Sequence, residues 1–321
     1  MWRRWGAVVL LVVSVVYAGD VRAEYPDRAI RLIVPFAPGG ANDSVARLLS
    51  DKLTKRLGQS VVVENRPGGG TVVGTAAVAN AAPDGYTLLL ISPAHTINPA
   101  LKKSLPYHTL TDFTPISQIT RSAYVLITGP KSPFKSINDL AVFAHSSTGQ
   151  FSFASSGTGS APHLAGALLA SLIGVKAVHM PYQGGGPAMI GVIRGDVDLY
   201  FSSVAGAQSS IDSGQVRAIA VSSDRRLAAL PTVPTVAEAG VSDYAINGWY
   251  GIIGPANLPL DVTSKLNRTI KECLKDPELV ARLQQEGEEV VGGTPEQFGQ
   301  LLGADLRKYQ TIVASSGLQP Q

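Results

Sequence analysis

Glycine-rich loops with neighbouring hydroxyl residues are the part of this 321-residue sequence best suited to bind a ligand. They occupy residues 38–43, 67–71, 155–160 and 182–187. Each follows a short apolar run and precedes a run with helical periodicity, so each is predicted to lead from a strand into a helix. The N-terminus of such a helix presents unpaired N–H groups and about half a positive charge. Glycine lets the backbone approach an anion closely, so these loops could bind a carboxylate or a phosphate without any arginine.

Polar and aromatic side chains accompany these loops and extend the set of candidate contacts. The hydroxyl donors are Ser92, Ser155, Ser156, Thr158, Ser160 and Ser203. Asp43 has two interpretations, either an N-cap that accepts hydrogen bonds from its own helix or a contact to a ligand hydroxyl, amine or water. His163 is expected in the first turn of a helix, where it packs or caps, whereas His95 could line a cleft. Tyr182 precedes a glycine loop and could close over a ligand or simply pack.

Sequence signatures of catalysis and of cofactor binding do not occur in the chain. Gly157-Thr158-Gly159 begins like a dinucleotide-binding fingerprint, but Pro162 occupies the place of the third glycine. There is no Gly-x-Ser-x-Gly elbow and no His-Glu-x-x-His motif, and the five histidines lack metal-ligand spacing. We therefore expect no cofactor, no metal and no enzymatic activity. An exported hydrolase that pairs a serine of the 155–160 loop with His163 remains the alternative.

The order of strand, glycine loop and helix repeats along most of the chain. Strands are predicted at 30–36, 61–64, 86–91, 151–154, 177–180, 197–201 and 216–221. Helices are predicted from Asn42 or Asp43 to Gly58, and at 72–82, 164–173, 188–194, 260–274, 277–287 and 295–314. This alternation predicts an α/β fold with mainly parallel sheets. In an open sheet of this kind, ligands bind beyond the carboxyl ends of the strands, where the glycine loops are.

The first 23 residues have the layout of a secretory signal peptide. Two arginines are followed by an apolar run of about 13 residues and by Val21-Arg22-Ala23, a cleavage-type sequence. The run is shorter than the ~20 residues of a membrane span, although an uncleaved anchor is the alternative. Without residues 1–23, which hold three arginines and one aspartate, 24 basic and 23 acidic residues remain. This balance predicts no attraction to nucleic acid. The one cysteine, Cys273, is expected to be a buried small hydrophobe or else a reactive thiol.

A set of motifs that follow one another in a fixed order carries a family resemblance. One of them is Pro35-Phe36-Ala37-Pro38-Gly39-Gly40-Ala41-Asn42-Asp43. The others are Tyr25-Pro26-Asp27-Arg28, Val63-Glu64-Asn65-Arg66-Pro67-Gly68-Gly69-Gly70, Pro83-Asp84-Gly85-Tyr86-Thr87, His95-Thr96-Ile97-Asn98-Pro99, Asp112-Phe113-Thr114-Pro115, Ser155-Ser156-Gly157-Thr158-Gly159-Ser160, Pro181-Tyr182-Gln183-Gly184-Gly185, Pro231-Thr232-Val233-Pro234-Thr235 and Gly292-Gly293-Thr294-Pro295-Glu296. From about residue 25 to 320 the chain resembles the solute-binding receptors of tripartite tricarboxylate transporters, the Bug or TctC family. Gln183 follows the Pro181-Tyr182 pair, a position at which the family usually has lysine or arginine.

The resemblance implies a Venus-flytrap periplasmic binding protein, α/β and two-lobed, with a cleft between the lobes. Lobe 1 would comprise residues 24–122 plus 248–321, and lobe 2 residues 123–247. Crossing strands are expected near 117–124 and 246–251. The ligand would be a small carboxylate, such as a di- or tricarboxylate, an acidic amino acid or an aromatic acid. The partners would be the membrane permease subunits of the transporter, and the receptor is expected to be a periplasmic monomer.

Carried over residue by residue, the family's binding loops fall on the glycine loops at 36–43 and 155–160, with the loop at 182–187 and Ser203 closing over the other end. The loop at 67–71 is expected to be a structural turn. A ligand-sensing module for a membrane signalling partner is a further alternative. The predicted ligand contacts are Phe36, Pro38, Gly39, Gly40, Asp43, Ser92, His95, Ser155, Gly157, Thr158, Gly159, Ser160, His163, Tyr182, Gly184, Gly185 and Ser203.

Overall fold

The computed structural model describes residues 24–144, 150–158 and 160–315. The predicted signal peptide and the loop residue Gly159 lie outside the described residues. The strands are β1 Ile30–Val34, β2 Val61–Asn65, β3 Thr87–Ile91, β4 Phe113–Thr128, β5 Phe151–Ser155, β6 Ala177–Pro181, β7 Leu199–Ser203, β8 Arg217–Val221, β9 Asn247–Pro255 and β10 Glu289–Val290. The helices are α1 Ala41–Leu57, α2 Val72–Ala79, α3 Ala94–Leu101, α4 Ile137–Ala144, α5 Ala161–Leu172, α6 Gly185–Arg194, α7 Val204–Asp212, α8 Leu260–Cys273, α9 Pro277–Gln285 and α10 Pro295–Ser315.

Two parallel units with the same strand order form the ends of the sheet. In the first unit β1 lies between β2 and β3, and in the second β5 lies between β6 and β7, with every pair parallel. Each unit follows the order strand, helix, strand, helix, strand. The chain therefore reverses direction across the sheet beside β1 and beside β5. Ligands of open α/β sheets bind at such reversal points.

The long strand β4 joins the two halves of the sheet. Its first part pairs with β9 on one side and β10 on the other, and its last part pairs with β7 and β8. Strand β9 in turn pairs antiparallel with β3. These pairings confirm an α/β fold, but four of the strand pairs among the described residues are parallel and five antiparallel, so the sheet is mixed and not mainly parallel as expected. The segments predicted to cross between the halves lie in β4 and at the start of β9.

Each half has its own apolar core because its strands are covered on both faces. Ile30, Leu32 and Val34 of β1 pack in a cluster with α1 and α8. In the other half, Phe151 and Phe153 of β5 pack with α5. Cys273 is fully buried in the first cluster, and burial raises the pKa of its thiol to about 11, so it behaves as a small hydrophobe. The C-terminal helix α10 packs on α3, β4 and α5.

The N-cap of helix α1 lies two to three residues before the N-cap predicted at Asn42 or Asp43. Gly40 is its N-cap, with an extended backbone and no side-chain cap, so the interpretation of Asn42 or Asp43 as the N-cap is wrong. Helix α6 likewise begins at Gly185 and not at Ala188. Helix α10 begins with a capping box, in which Thr294 and Gln297 exchange hydrogen bonds. No helix among the described residues is long and apolar enough to cross a membrane.

Candidate ligand-binding site

A cleft of about 590 Å³ is lined by residues from both halves of the sheet. Its walls come from the loops after β1, β3, β5, β6 and β7, and its floor from β4 and β9. The lining residues are Phe36, Gly40, Ala41, Asn42, Ser92, Pro93, Ala94, Ile97, Ser122, Tyr124, Ser156, Ser160, Ala161, Pro162, Gly184, Gly185, Tyr200, Ser203, Gly248, Trp249 and Tyr250. The cleft thus lies at the carboxyl ends of the parallel strands.

Part of the predicted contact set meets in this cleft. The residues that line it are Phe36, Gly40, Ser92, Ser160, Gly184, Gly185 and Ser203. Those described residues of the set that do not line it are Pro38, Gly39, Asp43, Ser155, Gly157, Thr158, His95, His163 and Tyr182. The loop at 67–71 also lies outside the lining, which agrees with its interpretation as a turn. Gly159 is not among the described residues.

The lining contains residues that the sequence interpretation did not select. Ala41 and Asn42 are the first two residues of α1. They were not selected because the helix was predicted to begin after them. Ser122, Tyr124 and Tyr250 come from β4 and β9. Only the pairing of these two strands brings them together, and no local motif marks them.

The electrostatics of the cleft come from backbone and not from ionised side chains. None of the residues that line it in the described part of the chain is charged. Five helices, α1, α3, α5, α6 and α7, begin at its rim. Their first N–H groups have no partner within the helix, and each N-terminus carries partial positive charge. The arrangement can therefore hold an anionic oxygen by hydrogen bonds and dipoles alone.

Asp43 holds the loop between β1 and α1 from behind. Its Oδ2 accepts hydrogen bonds from Gly39 N and from Arg47 Nε, both at 3.0 Å, and its Oδ1 accepts one from Asn65 Nδ2 at 2.9 Å. The hydrogen bond from Arg47 is the main cause that lowers the pKa of the Asp43 carboxyl to about 2. Asp43 therefore fixes the loop that leads into α1, and both oxygens of its carboxylate accept hydrogen bonds from protein donors.

Ser155 and two histidines support the loop between β5 and α5 in a similar way. Ser155 Oγ lies 2.6 Å from His179 Nε2 and accepts a hydrogen bond from Gly157 N at 3.1 Å. The His163 ring stacks on the His179 ring with centroids 3.7 Å apart. Burial is the main cause that lowers the pKa of both histidines, to about 4 for His163. Ser155 is fully buried, and its histidine partner is His179 and not the predicted His163.

Two aromatic candidates have packing roles. His95 is buried, lies 3.0 Å from the carbonyl oxygen of Thr109 through Nε2, and packs edge-on against Phe113. Burial lowers the pKa of His95 to about 4, so its ring is neutral at physiological pH. The hydroxyl of Tyr182 lies against α6, where a Cβ on Gly191 would come within 2.4 Å of it. Neither side chain is part of the cleft lining.

The sequence of this chain is similar to that of a known receptor family. Residues 45–318 match the tripartite tricarboxylate transporter family receptor, TctC. The chain belongs to this receptor family. BugT of Bordetella pertussis is 34% identical over 99% of this chain and 98% of its own length. The UPF0065 protein in the tcbD-tcbE intergenic region of Pseudomonas sp. strain P51 is 37% identical over 90% of this chain and 86% of its own.

Two solved structures with bound ligands share the fold. The R. palustris protein Rpa4515 with adipate superposes with a TM-score of 0.80 at 29% identity, covering 93% of this chain and all of that one. MatC from Rhodopseudomonas palustris with bound malate gives 0.76 at 31% identity, covering 90% of this chain and all of that one. The TctC family is one of solute-binding receptors, which confirms the expectation that the chain is not an enzyme.

Proposed function

We propose that this chain is an extracytoplasmic receptor that captures a small carboxylate in the cleft between its two halves. The observation that carries the proposal is a cleft with no ionised lining residue in the described chain and five helix N-termini at its rim. Such a site offers N–H donors and positive potential to an anion. The bound adipate and malate of two relatives support the same ligand class.

The receptor works with membrane permease subunits of a tripartite tricarboxylate transporter. Its family membership supports this partnership, and the signal-peptide layout of residues 1–23 supports export to the periplasm. The two halves act as lobes, residues 24–122 plus 248–321 and residues 123–247, that close over the ligand and present a docking surface. We propose that the receptor is a monomer.

Within the cleft, the N-termini of α1 and α5 hold one carboxylate. Gly40 and Asn42 contribute from one side and Ser160 from the other, since all three line the same cavity. The loop at Gly184 and Gly185 contacts the other end of the ligand. The remaining predicted contacts act from behind the lining, as the hydrogen bonds of Asp43 illustrate.

Calorimetric titration tests the proposal. The mature chain, freed of any bound ligand by unfolding and refolding, is titrated with succinate, malate, adipate, citrate, glutamate and benzoate. We expect saturable binding of at least one acid with one site per chain. Folded protein that binds none of the panel would overturn the proposed function.

A further inference from the structure

A row of hydroxyl groups runs along the cleft floor. Thr120, Ser122 and Tyr124 alternate along β4 and therefore share one of its faces. Ser122 and Tyr124 line the cleft, as does Gly248 on the paired strand β9. A Cβ on Gly248 would come within 2.5 Å of Ser122 Oγ and 3.3 Å of Tyr124 OH. Glycine at this position therefore leaves room for both hydroxyl groups on the floor.

A buried carboxyl group stands at the end of this row. Glu288 is 7% exposed, and its Oε2 accepts a hydrogen bond from Thr120 Oγ1 at 2.6 Å. Burial is the main cause that raises the pKa of Glu288, and the hydroxyls of Thr120 and Ser122 act in the opposite direction. No basic side chain forms an ion pair with Glu288 in the described part of the chain. The carboxyl is thus held by the hydroxyl of Thr120, which lies two residues before Ser122 on the same face of β4.

The charged and titratable neighbours of Glu288 do not neutralise it. Tyr124 of β4 and Tyr250 of β9 face it, and its negative charge helps to raise the pKa of both. The charge of Glu286, at the end of α9, also raises the pKa of Glu288. The nearby guanidinium groups of Arg121 and Arg225 are both paired with Glu289. An ionised Glu288 therefore places uncompensated negative charge behind the floor.

We propose that Glu288 is a specificity-determining residue that selects ligands with a hydrogen-bond donor, such as a hydroxyl, at the end that lies on the floor. An ionised carboxylate only accepts hydrogen bonds, so the Thr120 hydroxyl donates to it. The negative charge of Glu288 also favours the orientation of the Ser122 hydroxyl in which the hydrogen points toward Glu288, so that the oxygen lone pairs of Ser122 face the cleft and accept from the ligand. A second ligand carboxylate at this place would meet both those lone pairs and the charge of Glu288.

This inference rests on the proposed function and names the ligand class within it, a hydroxyl-bearing monocarboxylate. Glu288 also links binding to pH. Bringing a second carboxylate to the floor favours the protonated form of Glu288, so a dicarboxylate should take up a proton on binding and bind more tightly as pH falls. A hydroxy acid adds no charge there, and its affinity should change less over the same pH range.

Matched ligand pairs test the assignment. Calorimetry at pH 6 and pH 8 compares 4-hydroxybutyrate with succinate, and 6-hydroxyhexanoate with adipate, so that the members of each pair have equal carbon counts. At pH 8 we expect wild-type protein to prefer the hydroxy acid by about tenfold or more. Glu288→Gln should reduce this preference about tenfold and abolish its pH dependence. The control Glu272→Gln removes an exposed charge of α8 that pairs with Arg56 at the surface, where solvent screens it, and should behave as wild type.

Two further results make the outcome decisive. Ser122→Ala, which leaves Glu288 in place, should lose the preference for 4-hydroxybutyrate over butyrate. If Glu288→Gln does not fold, this variant tests the proposal in its place. An unchanged preference in Glu288→Gln or in Ser122→Ala, with panel acids still bound, overturns the role of Glu288 and leaves the proposed function standing. Failure of the wild type to bind any acid of the panel counts against the proposed function itself.

Discussion

Gly40 occupies the position where the loop after β1 meets helix α1. Its backbone is extended, with φ −91° and ψ 175°, a conformation that β-branched residues also adopt. A Cβ built on Gly40 meets no protein atom within 4 Å, and the residue lines the cleft. We therefore expect Gly40→Val to fold normally and to fill the space of the ligand carboxylate. Calorimetry should show affinity reduced about 100-fold or more, a loss of about 2.8 kcal/mol.

The matched control for this variant is Gly303→Val. Gly303 lies in α10, outside the cleft lining, and a Cβ there reaches only the mobile end of Arg307. Gly303→Val should keep wild-type affinity. Both variants should unfold within about 1 kcal/mol of wild type in a denaturant titration. Wild-type affinity in Gly40→Val would remove α1 from the binding site.

Asp43 supports the same loop through an ionised carboxylate. Its pKa is about 2 in the folded protein, below the usual value of an unfolded aspartate, so its stabilising contribution is present above about pH 4 and declines as pH falls toward 2. Asp43→Asn should lower the free energy of unfolding by about 2 kcal/mol at pH 7. The difference from wild type should shrink by about 1 kcal/mol at pH 3, as measured by urea unfolding.

Asp51→Asn is the control because it lies in the same helix. Asp51 is exposed and pairs with Lys55 one turn away, and such surface pairs contribute little. We expect it to change stability by less than about 0.5 kcal/mol at either pH. A pH-independent difference between wild type and Asp43→Asn would show that hydrogen-bond geometry, and not ionisation, carries the effect.

At the scale of elements, the junction of β5 and α5 contains a buried histidine stack. The pKa of His163 is about 4 in the folded state, mainly because of burial, whereas an unfolded histidine titrates near 6.5. Between these values only the unfolded chain binds the proton, so the folded state loses stability as pH falls from 6.5 toward 4. His163→Gln should reduce the stability lost between pH 7 and pH 5 by about 2 kcal/mol, measured by urea unfolding.

His108→Gln provides the matched comparison, because His108 is an exposed histidine of the same protein. Its stability should follow the wild-type pH profile. His95 and His179 remain in His163→Gln, and both have lowered pKa values, so part of the acid sensitivity persists. If the stability of His163→Gln followed the wild-type pH profile, protonation of the histidine stack would not destabilise the folded state.

The elements themselves were predictable where a local pattern fixes them. The apolar run of β1 and the glycine that follows α1 gave both elements to within a few residues. The start of α1 was misplaced because Asn42 and Asp43 are favoured N-cap types. In the structure Asp43 instead turns back to bind Gly39 N, and Gly40 takes the cap position without a side chain.

The site was predictable only where it is built from loops. Phe36, Ser160 and Gly184 follow strand ends, and strand order places such loops together. The floor residues Ser122 and Tyr250 are more than 100 residues apart in the chain and meet only because β4 pairs with β9. Long-range pairing of this kind leaves no local signal. The same holds for His179, which a sequence pattern does not connect with Ser155.

At the scale of the molecule, two units of identical strand order face one cleft. Strands β4 and β9 pass between the units, and helix α10 also joins them by packing on α3 of one unit and α5 of the other. An additional bridge is Glu289 of β10, which pairs with Arg121 of β4 and with Arg225 beyond β8. These ion pairs are exposed and contribute little to stability, so they would not prevent a rotation of the units about the two shared strands.

Ligand-driven closure can be measured with spin labels. Asn80 and Lys176 are exposed residues on opposite units, and the native Cys273 is buried and takes no label. In the double variant Asn80→Cys/Lys176→Cys, the tightest-binding acid of the panel should shorten the label-to-label distance in pulsed dipolar spectroscopy, because contacts from both units to one ligand favour the closed state. Labels at Lys55→Cys and Asn80→Cys, within one unit, should keep their distance. A ligand that binds by calorimetry yet leaves the distance between the labels at residues 80 and 176 unchanged would mean that the cleft is already closed. A membrane partner would then have to recognise the occupied cleft itself and not a change in the arrangement of the two units.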